Sequence, residues 1–263
     1  MASADIPSDI PSDNISNFLT PYSCPYYEKV IAILQILQDA FNSQPGIYKD
    51  HTDQDITDYP FVVYEKDSKA HKVEILIFGG FLRNLLEHYY SGETENHPPK
   101  DVDIFIKFNQ ELVRIPSQTT WIRNIVPFIK ESLAGKFEIS NTCILITRKH
   151  DHDYCAAKMV IDGIHFDISS HINDWDISPR FDKLTDYTVN NLVCSLDSIL
   201  QTRVKIDEYD LTKTLDHIRH KKLISILNES TLGWLYRNFD AVTVEEYLKE
   251  RLAKMLAYGY TTN

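Results

Sequence analysis

The order of apolar and polar residues in the first half of the chain predicts a helix, a strand, a second helix and a second strand. After Pro25, apolar residues recur at helical spacing until Ser-Gln-Pro-Gly ends the pattern. The apolar run VEILIF (73–78) is too short for a helix and is typical of a buried strand. Gly79-Gly80 ends this run, and FLRNLLEHYY follows as a helix that begins at the glycines. DVDIFIKF (101–108) then alternates as a strand does.

The second half of the chain predicts one more helix, several strands and a helical end. Helical spacing returns in TTWIRNIVPFIKESL, where Pro127 is expected to bend or break the helix. Three strand-like runs follow, and the last two form a hairpin at Asp162-Gly163, because Asp-Gly favours a tight turn. VNNLVCSL and VKID are β-like, and helices are expected near 211–227 and 243–257. This order predicts an α+β fold with a mixed sheet.

Composition shifts divide the chain into three predicted parts. Residues 1–22 contain the tandem DIPS-DIPS and few apolar residues, which indicates a flexible acidic tail. Residues 23–208 contain the predicted sheet with its flanking N-terminal helix and form one domain. Residues 209–263 form a C-terminal helical region.

The overall composition is that of a globular protein, with 263 residues, 43% hydrophobic and 25% charged. No apolar run approaches the roughly 18 residues that span a bilayer, so no membrane partner is expected. The acidic N-terminus lacks the features of a secretory signal. The four cysteines form no C-x-x-C pair, which favours reduced thiols. We therefore expect a cytoplasmic protein.

The net charge of −11 argues against tight, sequence-independent binding to long nucleic acid, which depends on many Lys and Arg contacts. The charge is uneven along the chain. Residues 1–60 carry net −7, whereas residues 210–263 carry net +1. A local basic face in the C-terminal part of the chain therefore remains possible, despite the net negative charge.

The first candidate for chemistry is a pair of carboxylates. Four D-x-D triplets occur, but only Asp101-Val102-Asp103 heads an alternating strand, where period two puts both carboxylates on one face. Two ionised carboxylates about 6.6 Å apart repel by roughly 2.5 kcal/mol at an effective dielectric constant of about 20. A divalent cation such as Mg²⁺ compensates this repulsion with oxygen ligands. A solvated strand end is the alternative interpretation.

The second candidate is a phosphate-binding turn. Gly79-Gly80 lies where a strand passes into a helix, and glycine lets backbone approach a ligand closely. Free N–H groups and the positive end of the helix dipole attract phosphate. Arg83 follows in the first turn, where it would either contact a triphosphate or pair with an acid across the helix.

Three motifs in this order resemble those of the polymerase-β-like nucleotidyltransferase superfamily. They are GGFLRNLL, KDVDIFI and DYTVNNLV, within residues 73 to 195. The closest branch is the head domain of tRNA nucleotidyltransferases and bacterial poly(A) polymerases. The resemblance implies the palm fold of that superfamily, a catalytic domain at 23–208, and transfer of a nucleoside monophosphate from an NTP to a hydroxyl.

The resemblance also assigns roles to residues. Gly79, Gly80 and Arg83 would hold the triphosphate. Two Mg²⁺ or Mn²⁺ ions would be held by Asp101 and Asp103, with Asp167 as the third carboxylate. The remaining pair, Asp186 and Asn190, would line the nucleotide pocket, although both residue types also bond their own backbone in turns.

Departures from the family pattern leave the acceptor open. Asn84 stands where the family has Asp, and no Arg-Arg precedes the third motif. An RNA 3′ end, tRNA-like or other, is the first expectation for the acceptor, which would make the protein an RNA-processing enzyme. A hydroxyl on a protein or small molecule is the alternative. A non-catalytic module of the same fold that binds nucleotide or a partner protein is a further one.

Overall fold

The computed structural model describes most of the chain from Pro25 onwards. The described residues are 25–43, 47–48, 63–64, 74–91, 101–107, 113–114, 118–149, 152–170, 185–196, 200–203, 205–227, 229–238 and 240–262. They form an α+β structure in which helices flank a mixed seven-stranded sheet, so the predicted fold class is confirmed. The predicted acidic tail at 1–22 lies outside the described residues.

Six α-helices are described. They are α1 (Pro25–Ser43), α2 (Gly80–Ser91), α3 (Gln118–Leu133), α4 (Leu211–Arg219), α5 (Glu229–Asn238) and α6 (Ala241–Ala257). A single 3₁₀ turn in the described ranges spans Thr188–Asn190. Among the described helices, none is long and apolar enough to cross a membrane.

The described strands form two sheets. Three short strands, β1 (Ile47–Tyr48), β2 (Val63–Tyr64) and β5 (Val113–Arg114), pair in the order β1-β2-β5. The larger sheet has the order β10-β9-β3-β4-β8-β7-β6. Its strands are β3 (Glu74–Phe78), β4 (Val102–Lys107), β6 (Ile139–Lys149), β7 (His152–Ile161), β8 (Ile164–Ser170), β9 (Leu192–Ser195) and β10 (Gln201–Thr202). Among these, β4 and β8 pair in parallel and the other neighbours are antiparallel.

The two faces of this sheet differ in what covers them. On one face, Val102, Ile104 and Ile106 are buried in the main core, which also contains apolar residues of α1, α2 and α3. Phe105 points to the other face, where it forms a smaller apolar cluster with Leu76. Because side chains alternate along a strand, Asp103 shares this second face with Phe105. Asp103 therefore lies on the side opposite the main core.

The predicted hairpin is confirmed. β7 and β8 pair antiparallel on either side of Asp162 and Gly163, which have positive φ angles of 49° and 78°. Positive φ at both central residues defines the turn that matches the twist of the flanking strands. This turn fixes the register of the whole hairpin, and it is the reason that Lys158 lies opposite Asp167.

Two expectations for the middle of the chain are corrected. Pro127 does not break its helix, because α3 continues through it and the core holds Val126 and Phe128 on either side. The run VKID forms no described strand, since Tyr209 donates to the Ile206 carbonyl in a turn that leads into α4.

The helix expected over 211–227 is also corrected, because it ends at Arg219. Lys221 has a positive φ of 54°, which ends the helical path, and Leu223 then donates its N–H to the Thr261 carbonyl. The structure adds α5, a helix that the apolar pattern does not predict.

Candidate active site

Strand pairing brings the three predicted carboxylates to one end of the sheet. Asp103 in β4 and Asp167 in β8 are direct partners in the parallel register, and Asp101 lies immediately before β4. On the other side of β4, Phe78 at the end of β3 pairs with Asp103. Because β3 leads directly into Gly79-Gly80, the glycine turn and the carboxylates belong to the same corner of the sheet.

Asp103 is the most perturbed of these carboxylates. Burial raises its pKa to about 7, and the negative charges of Asp101 and Asp167 contribute in the same direction. The nearby positive charges of Arg203 and Arg251 act in the opposite direction. Within the described part of the chain, the carboxylates of Asp101 and Asp103 accept no hydrogen bond and form no ion pair. Neighbouring, partly buried carboxylates of this kind are a donor set that suits a divalent cation.

Asp167 differs from this pair because a lysine already binds it. Lys158 Nζ lies 2.7 Å from Asp167 Oδ2, and this hydrogen bond raises the pKa of the lysine. No group of three or more His, Cys, Asp and Glu side chains in the described ranges is arranged to hold a metal ion. Direct metal ligands are therefore available in Asp101 and Asp103, whereas Asp167 would have to exchange its lysine for a metal.

The glycine turn is shaped by its contact with Asp103. Gly79 has a φ of +71°, and its carbonyl accepts from the Arg83 N–H as α2 begins. A Cβ atom at Gly79 would lie 3.1 Å from Asp103 Oδ2, closer than ordinary van der Waals contact. Glycine is needed here both for the left-handed backbone and for the close approach of the carboxylate.

Gly79→Ala is therefore expected to destabilise the protein by about 1–2 kcal/mol, from the cost of a left-handed alanine. The added methyl group would also displace the Asp103 carboxylate. Urea denaturation measures the first effect, and Gly135→Ala is the matched control for it. Gly135 has a similar φ of +74°, but a Cβ atom there would have no neighbour within 4 Å. A stability loss in Gly79→Ala no larger than that in Gly135→Ala would contradict a specific role for the Gly79 contact.

Arg83 lies in α2 and is buried in a polar network. Its Nε and Nη2 atoms donate to Asn84 Oδ1 at 3.2 and 3.0 Å, and its Nη1 donates to Asn190 Oδ1. Its Nε also lies 3.5 Å from Glu87 Oε1, one turn further along the helix. Glu87 is therefore the acid with which Arg83 was expected to pair across the helix, which was one of the two interpretations from the sequence. A triphosphate contact by Arg83 stays a prediction.

Residues near the end of the described chain close this network. The Arg83 guanidinium lies over the Tyr258 ring, 5.0 Å from its centroid. Glu87 accepts a hydrogen bond from the Tyr260 hydroxyl and forms an ion pair with Lys221. α2 is thus held by polar contacts to a segment that lies far away in sequence.

Asp186 and Asn190 connect α2 to the last helix. Asn190 Nδ2 donates to Asp186 Oδ1 at 2.8 Å, while its own Oδ1 accepts from Arg83. Asp186 Oδ1 also accepts from the Tyr187 N–H, and Arg251 Nε donates to Asp186 Oδ2 at 2.6 Å. Asp186 and Asn190, the two predicted pocket residues, therefore bind other parts of the protein. Together they position Arg251.

Three charged residues at this site were missed in the sequence. The hairpin register could have placed Lys158 opposite Asp167, because a two-residue turn at Asp162-Gly163 fixes that pairing. Arg203 and Arg251 carried no such signal. They reach the site from the end of β10 and from α6, which only the tertiary fold brings near Asp103.

Comparison with known proteins finds similar solved structures but no family. One is described as "tRNA-processing enzyme (apo form I)", at 12% identity and a TM-score of 0.34, covering 76% of this chain and 36% of that one. The other, "Structure of tRNA-processing enzyme with CTP", matches at 14% identity and a TM-score of 0.34, covering 60% and 34%. The chain spans about a third of the length of either enzyme. No family model and no curated protein matches it.

Proposed function

We propose that this protein is a metal-dependent nucleotidyltransferase that moves a nucleoside monophosphate from an NTP to an acceptor hydroxyl and releases pyrophosphate. The observation that carries the proposal is the state of Asp101 and Asp103. Both carboxylates are partly buried and have no partner among the described residues. Burial, together with the negative charge of Asp101, raises the pKa of Asp103 to about 7. Such a pair next to the Gly79-Gly80 turn suits the metal complex of a triphosphate.

Each part of the site has a role in this proposal. Asp101 and Asp103 would hold Mg²⁺ or Mn²⁺, and Asp167 would be the third ligand once Lys158 no longer occupies it. The metal ions supply charge neutralisation and a more acidic acceptor hydroxyl. Gly79 and Gly80 present backbone N–H groups to the phosphates at the start of α2. Positioning and charge compensation then account for most of the rate.

The proposed acceptor is a short or terminal element. With a net charge of −11, the chain is poorly suited to gripping long RNA along a groove, but an RNA 3′ end needs few phosphate contacts. A hydroxyl on a protein or small molecule fits the same charge. We assign the transfer to residues 23–208, as a nucleotidyltransferase palm in the cytoplasm, and the positioning of the site to the helical region 209–263.

A non-catalytic nucleotide-binding module is a second candidate. It is favoured by the ion pair of Lys158 with Asp167, which occupies the third carboxylate with a cation from the chain itself. In this candidate the nucleotide binds and no transfer follows.

The experiment that tests the proposal uses each of the four labelled NTPs with Mg²⁺, total RNA and total protein. We expect one fraction to become labelled by the wild type, and Asp103→Asn or Asp101→Asn to reduce labelling by more than about a hundred-fold, because metal binding loses a charged ligand. Asp207→Asn is the matched control, since Asp207 is an exposed carboxylate outside the site. Binding of NTP without labelling would favour the non-catalytic candidate. Undiminished labelling by Asp103→Asn would rule out a metal role for this residue.

A further inference from the structure

A triphosphate brings several negative charges to a site that already contains three carboxylates. The chain as a whole carries net −11, so long-range attraction does not draw an anion in. Lys158 is bonded to Asp167, and Arg83 is 4% exposed inside its network. Two further positive groups near these carboxylates are Arg203 and Arg251.

Arg251 is oriented for such a contact by Asp186. Its Nε donates to Asp186 Oδ2 at 2.6 Å, and that carboxylate is itself fixed by Tyr187 N–H and Asn190 Nδ2. The two terminal amino groups of Arg251 have no hydrogen-bond partner among the described residues. The side chain is 30% exposed, so part of it can be reached by a ligand. A guanidinium edge presents paired N–H donors that match phosphate oxygens.

Arg203 contacts the residue that precedes the glycine turn. Its guanidinium lies over the ring of Phe78, 4.7 Å from the centroid, and Phe78 directly precedes Gly79. Arg251 is connected through Asp186 and Asn190 to Arg83, in the turn that follows Gly80. Phe78 is also the sheet partner of Asp103. Both arginines are therefore connected to residues that flank Gly79-Gly80 in the chain.

We propose that Arg203 and Arg251 form the phosphate-binding side of this site and hold the β- and γ-phosphates of a nucleoside triphosphate opposite Asp101 and Asp103. This inference rests on the proposed function and adds to it two residues from outside its motifs. Asp186 and Asn190 are positioning residues in this arrangement, because Asp186 bonds Arg251 and Asn190 bonds Asp186. The leaving pyrophosphate would keep its contacts with both guanidinium groups until it is released.

The test measures binding to the full chain by isothermal titration calorimetry with Mg²⁺. The probes are inorganic tripolyphosphate, which has no base, and the α,β-methylene analogues of ATP and CTP, which cannot be cleaved at that bond. Arg203→Ala removes one guanidinium at a partly exposed position. Arg251→Lys keeps the charge beside Asp186 but loses the planar fork. Arg237→Ala is the control, because Arg237 is exposed and its Nε donates to the Gly233 carbonyl of its own helix.

We expect Arg203→Ala and Arg251→Lys each to weaken tripolyphosphate binding by about ten- to a hundred-fold, and Arg237→Ala to leave it unchanged. Far-ultraviolet circular dichroism and urea denaturation identify any variant that has lost its fold. If Arg251→Lys is unfolded, the binding of Arg203→Ala alone decides the test. Binding that is unchanged in folded variants, while the wild type still labels an acceptor, would overturn the inference and leave the proposed function standing. A wild type that binds none of the probes and labels nothing would overturn both.

Discussion

Replacing Asp103 by Asn should make the metal-free protein more stable at pH 8, by about 2–4 kcal/mol, and leave its stability unchanged near pH 4. The pKa of Asp103 is about 7 in the folded protein, against an ordinary value of 3.8. Between these values the folded state binds a proton that the unfolded chain has lost, so stability falls as the pH rises through this window. Each pKa unit corresponds to about 1.4 kcal/mol. Asn does not ionise, so the stability of Asp103→Asn does not fall in this way as the pH rises.

Urea denaturation in EDTA from pH 4 to pH 8 measures the difference between the two proteins. Asp207→Asn should show no change over the same window, because its carboxylate is exposed. Added Mg²⁺ should raise the stability of the wild type at pH 8 and have much less effect on Asp103→Asn. A difference that does not vary with pH would mean that Asp103 is an ordinary surface carboxylate.

Arg83→Met should destabilise the protein by about 3–5 kcal/mol, as expected when one partner of a buried charged network is removed. The substitution keeps much of the apolar stem but removes the donors to Asn84 Oδ1 and Asn190 Oδ1. It also leaves Glu87 without the nearest charge on its own helix. Buried acceptors that lose their donors carry the full cost of desolvation.

Arg237→Met is the matched control for this loss, since its guanidinium is exposed and contacts the backbone of its own helix. It should change the free energy of unfolding by less than about 0.5 kcal/mol. Denaturant midpoints and slopes for both variants provide the comparison. A loss below about 1 kcal/mol in Arg83→Met would show that the network relaxes around the missing guanidinium.

Local patterns predicted the parts of the fold that depend on neighbours in sequence. Apolar spacing placed α1 and α2, the run 73–78 indicated β3, and Asp162-Gly163 set the hairpin of β7 and β8. The predicted helix boundaries were wrong where contacts between residues distant in sequence determine the end of a helix. The segment after Arg219 leaves the helix to pair with Thr261, and no pattern around residue 220 announces that partner.

The candidate site divides in the same way. Period two along β4 put Asp101 and Asp103 on one face, and the structure places Asp167 beside them through the parallel pairing of β4 with β8. The positive groups could not be found by this reasoning, because Arg203 and Arg251 belong to no motif and are far from Asp103 in the chain. Arg251 reaches Asp186 only because α6 docks there, which is a property of the folded core.

The docking of Tyr258 and Tyr260 against α2 has a consequence for how the protein is made on the ribosome. β3, β4, β8 and β9 can pair once residue 195 has emerged, but Arg83 and Glu87 must wait for partners more than 170 residues downstream. At about 5–20 residues per second, that wait lasts about 9 to 35 seconds. During this interval the charged face of α2 is uncovered, so a nascent chain that pauses before α6 is the form most exposed to proteases and chaperones.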